Sequence, residues 1–66
     1  MGEDEARRRV RQLLLSGDNM LKNREGDERI GRARTRYEEA LALARESALD
    51  DAVVFVQRRL EALDPS

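Results

Sequence analysis

Ala44-Arg45-Glu46-Ser47-Ala48-Leu49-Asp50 is the stretch on which the fold turns. If the helix before it runs on unbroken, one helix spans Asp27 to Leu63 and the chain is a two-helix hairpin. Such a hairpin could not cover its own apolar surface without dimerising. If the helix breaks here, three helices can close on one another. Neither Gly nor Pro interrupts the stretch. Ser47, however, precedes Asp50 by three residues, the spacing of a capping box with Asp in place of the usual Glu. The break is therefore placed at Ser47, and a third helix is expected over about 48–63, ahead of Asp64-Pro65.

Upstream, Asn23-Arg24-Glu25-Gly26-Asp27 reads as the best turn in the chain: Gly26 suits a left-handed C-terminal cap and Asp27 an N-cap. A second helix should occupy about 27–46. Its apolar stripe, Ile30, Ala33, Tyr37, Ala40, Leu41 and Ala44, consists mostly of small residues around one large ring, a face built for tight packing. The first helix is expected over about 4–23. Glu3, Asp4 and Glu5 precede Arg7, Arg8 and Arg9 by four residues each, an order that suits both side-chain pairing and the helix dipole. Val10, Leu13, Leu14, Gly17, Met20 and Leu21 share one face at spacings of three and four. Gly17 within that face costs about 1 kcal/mol relative to Ala, which close approach of a neighbouring helix would offset. The expectation is one all-α domain over residues 1–66, an antiparallel three-helix bundle. Its core joins Val10, Leu14, Gly17, Leu21, Ile30, Ala33, Tyr37, Leu41, Val53, Val56 and Leu60.

Sixty-six residues bury only about 60% of the surface that the unfolded chain exposes, so stability is marginal unless something staples the fold. The chain has no Cys and no His. Disulfides, thiolate or imidazole metal sites and His-based acid–base catalysis are thereby excluded, and neither a metal nor a cofactor is expected. The hydroxyls of Ser16, Ser47, Thr35 and Tyr37 have no base to activate them. The pairs Glu38-Glu39 and Asp50-Asp51 are sequence neighbours, which a helix splays about 100° apart. Ser16-Gly17-Asp18-Asn19 matches neither a phosphate loop nor a Ca²⁺ loop. The chain reads as a non-enzyme. Its apolar runs fall far short of a membrane span and nothing resembles a secretory signal, so a cytoplasmic address is the default. Met1-Gly2 does not read as a myristoylation signal, because position 6 is Ala and acids follow.

The apolar pattern exceeds what one small core needs. Val53-Val54-Phe55-Val56 spans about 300° of a helix, so these four side chains cannot share one interior. Val54 points opposite the stripe formed by Leu49, Ala52, Val53, Val56, Leu60 and Leu63, and Phe55 flanks it. In the first helix Leu15 lies about 140° from Val10. Leu15, Val54 and Phe55 are accordingly the expected apolar anchors for a partner, which would be a helix or peptide of another protein or a second copy of this chain. Net charge is −1 at pH 7, so overall repulsion does not oppose a homo-oligomer. Arg29, Arg32 and Arg36 share a face of the second helix and are expected to form a charged rim for an acidic surface. The same face carries the competing expectation, a nucleic-acid accessory protein. The pI of 5.4 and the presence of only two aromatic rings argue against it. Arg7-Arg8-Arg9-Arg11 reads as a solvated surface balanced by Glu3, Asp4 and Glu5.

Ser16-Gly17-Asp18-Asn19-Met20-Leu21-Lys22, then Gly26-Asp27, then Ala33, Tyr37, Ala40-Leu41 and Ala44, resembles a tetratricopeptide helical hairpin. That family sets a small residue in its first helix, a Gly-Asp turn, and then Ala, an aromatic and Ala at spacings of four and three. On this resemblance the third helix is a capping helix beside one repeat. A lone repeat leaves an apolar face for its neighbour, which implies self-association or origin in a longer protein. Tyr37-Glu38-Glu39-Ala40-Leu41 and Val56-Gln57-Arg58-Arg59-Leu60-Glu61 also resemble the microtubule-interacting-and-trafficking type of three-helix domain. Both families imply a groove between helices that receives a partner segment, and a role in protein–protein interaction or assembly.

Overall fold

The computed structural model describes residues 2–22 and 28–63. They form three helices and no strand: α1 (Glu3–Lys22), α2 (Glu28–Glu46) and α3 (Asp50–Leu63). The expected Gly26 and Asp27 caps lie outside the described residues. Helix bounds otherwise fall within two residues of expectation, and the chain is a three-helix bundle rather than a hairpin. Gly17 of α1 lies against Tyr37 of α2, and Met20 shares a hollow with Arg32 and Arg36, so the two helices run antiparallel. Arg7 meets Asp51 and Asp18 meets Arg59, so α3 runs parallel to α1. Helix α2 occupies the centre, and the other two pack chiefly on it.

The break between α2 and α3 is made differently from the expected capping box. The Leu49 N–H donates to the Ala44 carbonyl at 2.9 Å and the Ala48 N–H to the Arg45 carbonyl at 3.1 Å. This pair of bonds is a Schellman motif, which closes α2 with Ala48 in the left-handed region at φ 55°. Ser47 therefore belongs to the end of α2 and does not cap α3. Leu49 accepts the first backbone bond of α3, from the Val53 N–H at 3.0 Å. An L-residue in that conformation costs roughly 1–2 kcal/mol. Burial of Leu49 against Ala44, at 1% and 0% exposure, offsets it. Ala48→Gly removes the steric cost and should raise stability by about 1 kcal/mol. Thermal denaturation should register a midpoint about 4–8 °C higher, and an unchanged or lower midpoint would show that Ala48 carries no strain.

The core consists of small side chains closing on one ring. Ala33, Ala40 and Ala44 of α2 are fully buried around Tyr37, with Ala6, Val10 and Leu13 from α1 and Leu49 and Val56 from the α3 side. Leu14, Leu21, Leu41, Val53 and Leu60 are partly buried against this cluster. Ile30 is a correction to the expected core, since it is 39% exposed. It lies on the correct face of α2 but near its beginning, and α3 has 14 residues against 19 in α2. Running back from the turn, α3 stops about 7 Å short of the beginning of α2.

At Gly17 helix α1 lies close against α2. A Cβ built there would lie 2.5 Å from Cε1 of Tyr37, so the ring occupies the space that any side chain would need. The close approach expected from a glycine on an apolar face is thus made by the single ring of the α2 stripe. No helix among the described residues is long and apolar enough to cross a membrane.

Candidate functional site

Helices α1 and α3 approach each other little, and side chains link them at two levels. At the first, Arg7 Nη1 donates to Asp51 Oδ2 at 2.9 Å. Arg7 was expected to be balanced within its own helix; it reaches across to α3 instead. At the second level, Arg59 Nε donates to Asp18 Oδ1 at 3.2 Å and Arg59 Nη2 to Asp18 Oδ2 at 3.4 Å. The Tyr37 hydroxyl also donates to Asp18 Oδ1, so one carboxylate ties all three helices together.

These contacts fix the local electrostatics. Partial burial alone would raise the Asp18 pKa, but hydrogen bonds from Tyr37 and Arg59 and the nearby charges of Arg59 and Lys22 outweigh it and hold the carboxyl below its usual range. Burial, then the hydrogen bond to Asp18 and its negative charge, push the Tyr37 hydroxyl up to about 12. The hydrogen bond from Arg7 lowers the Asp51 pKa, and the same bond raises that of Arg7. Among the described residues no group of three or more carboxylates is placed to hold a metal ion.

Between the helices lies an open groove of about 360 Å³. Val10, Leu14 and Leu15 of α1 and Ala52 and Phe55 of α3 supply its apolar lining; Arg7, Arg11, Asp51 and Arg59 supply the charged part. Leu15 and Phe55 are 55% and 58% exposed, large areas of hydrocarbon left in water on facing helices. They are two of the three expected anchors, and the fold brings them together. Val54, 48% exposed, does not line this groove. One residue turns a helix by about 100°, so Val54 and Phe55 face different directions.

The expected cationic rim lies elsewhere. Arg32 and Arg36 line a separate hollow with Met20, Thr35 and Glu39. Within α2, Arg32 pairs with Glu28 at 3.6 Å and Arg36 with Glu39 at 3.7 Å. Arg29 is half-buried and lines neither hollow. The cations beside Leu15 and Phe55 are Arg7 and Arg11, which were expected to be solvated surface, and Arg59, to which the sequence pattern gave no binding role. One signal was present: Asp18 sits four residues after Leu14 and three before Leu21, an acid on an apolar stripe. A carboxylate so placed needs a partner from another element. No protein-family model matches the chain, nor does any curated protein or solved structure.

Proposed function

We propose that this chain is a non-catalytic protein-interaction module whose α1–α3 groove receives a helical or extended segment of a partner protein. The observation that carries this reading is the convergence of Leu15 and Phe55, both more than half exposed, on one apolar groove. Exposed aliphatic and aromatic side chains in a concave surface are the usual anchors of helix-in-groove recognition. The fold needs neither of them for its own core, which closes around Tyr37.

The tetratricopeptide-like reading is proposed on the same footing. Gly17 packed on Tyr37, with Ala33, Ala40 and Ala44 buried beside it, supports it. A cytoplasmic location goes with this reading, because secreted domains of this size are usually disulfide-dense and this chain has no Cys. Nucleic-acid binding through the α2 arginines has less support, since Arg32 and Arg36 are each paired with a glutamate of their own helix.

Photo-crosslinking in the native cell tests the docking reading. A benzoylphenylalanine at position 55 should give a discrete adduct that one at exposed position 38, on α2, does not, and the adduct should disappear when Leu15 is replaced by Glu. Equal yields at 55 and 38 would reduce Phe55 to an incidental surface residue. Sedimentation equilibrium at micromolar concentration adds a second readout. Self-association abolished by Phe55→Ala would identify the occupant as another copy of the chain.

A further inference from the structure

The α1–α3 groove is apolar along its length and positively charged around it. Three guanidinium groups, Arg7, Arg11 and Arg59, line it against one carboxylate, Asp51. Arg7 and Arg59 are engaged by Asp51 and Asp18, whereas Arg11 makes no ion pair or hydrogen bond among the described residues. A guanidinium carries five N–H donors, and Arg7 uses one of them on Asp51. Unspent donors thus remain next to the apolar anchors.

Resting on the docking reading above, we infer that the occupant is a short apolar segment flanked by carboxylates and supplied by a different protein. Two features favour this over a second copy. A two-fold dimer sets the same patch against itself, which would bring the unpaired Arg11 of one groove toward that of the other. Like charges brought together across an interface oppose association. An acidic flank, by contrast, finds Arg11 unpaired and Arg7 with donors to spare, and guanidinium groups suit carboxylates through paired N–H bonds. Length sets a further condition. From Arg7 to Leu15 the α1 wall rises about 12 Å, which accommodates about two turns of helix. The segment is therefore an amphipathic helix with apolar residues four apart on one face and Glu or Asp at its edges.

Three labelled helical peptides, each with two leucines four residues apart and flanked by Glu, Gln or Lys, provide the probes for fluorescence anisotropy against the full chain. At low salt the Glu-flanked peptide should bind about 10-fold tighter than the Gln-flanked one, with the Lys-flanked peptide weakest, and the spread should narrow at about 0.15 M salt. Arg11→Glu, at an exposed position that leaves the fold intact by circular dichroism, should reverse the order of the Glu and Lys peptides. Phe55→Ala should weaken all three. Equal binding of the three peptides, abolished by Phe55→Ala, would overturn the acidic preference while leaving the docking reading in place. Failure of all three to bind, together with self-association that depends on Phe55, would replace the acidic segment with a second copy. Absence of both peptide binding and the position-55 crosslink would remove both proposals.

Discussion

Gly17→Val should leave this chain unfolded at room temperature. The Cβ alone would lie 2.5 Å from Cε1, 3.0 Å from Cδ1 and 3.1 Å from Cζ of Tyr37. The ring cannot swing aside freely, because it is buried among alanines and its hydroxyl is bound to Asp18. Overpacking of a well-filled core costs about 1–3 kcal/mol for added methylenes, occasionally more. Valine adds two methyl groups beyond the clashing Cβ. A core of this size seldom provides more than about 3–5 kcal/mol in total.

Gly17→Ala is the graded version. Helix propensity favours Ala by about 1 kcal/mol, and the clash outweighs that gain, for a net loss of about 1–2 kcal/mol. The thermal midpoint should fall by about 10 °C. Gly31→Ala is the control, since nothing lies within 4 Å of a Cβ there and propensity acts alone. It should raise stability by about 1 kcal/mol. If the two alanine variants shifted in the same direction, the close packing of Gly17 on Tyr37 would be disproved.

Raising the pH from 10 to 12 is expected to remove about 2 kcal/mol of stability through Tyr37 alone, most of a difference set at about 1.4 kcal/mol per unit of pKa. The folded-state pKa, pushed up to about 12, lies above the ordinary tyrosine value of 10.0 that holds in the unfolded chain, so the folded state holds its proton more tightly. The stabilisation is therefore fully present below pH 10 and is lost as the pH rises through about 12. Asp18 acts in the opposite sense. Its folded pKa lies below 3.8, so its contribution is present above the unfolded value and is lost as the pH falls through the folded one. Urea denaturation across the alkaline range should give a falling midpoint for the natural chain. Tyr37→Phe should start lower, by about 1.5–3 kcal/mol for a hydrogen bond to a charged acceptor, and stay flat between pH 10 and 12. Parallel alkaline curves for the two chains would mean that the Tyr37 hydroxyl has no coupling to folding.

Both predictions concern residues whose importance was unequally legible. Gly17 stands on an apolar stripe where a helix would favour almost any other residue, and that anomaly pointed to close packing before any partner was known. The Asp18 signal was equally local, an acid on the same stripe, but its partners Tyr37 and Arg59 are 19 and 41 residues away in sequence. Nothing in the spacing along one helix specifies which arginine of another will reach it. The same limit explains the groove. Leu15, Val54 and Phe55 were legible as surplus apolar side chains from their angles alone, yet which two would meet depended on how far apart α1 and α3 stand over α2. The expected rim of Arg29, Arg32 and Arg36 shared a helix face with spacing suited to a partner. It lies apart from the anchors because they are on α1 and α3, whereas these arginines are on α2.

Helix content and most of the inward faces follow from local terms: side-chain periodicity and propensity. These are properties of residues three or four apart, and they are settled before the chain closes. The left-handed turn at Ala48, the exposure of Ile30, the ion pairs across α1 and α3 and the pairing of Leu15 with Phe55 arise only when the three helices meet. Each depends on a helix length or crossing position that burial of Tyr37 and Leu49 selects, because packing energy is shared among side chains distant in sequence and no local pattern encodes it.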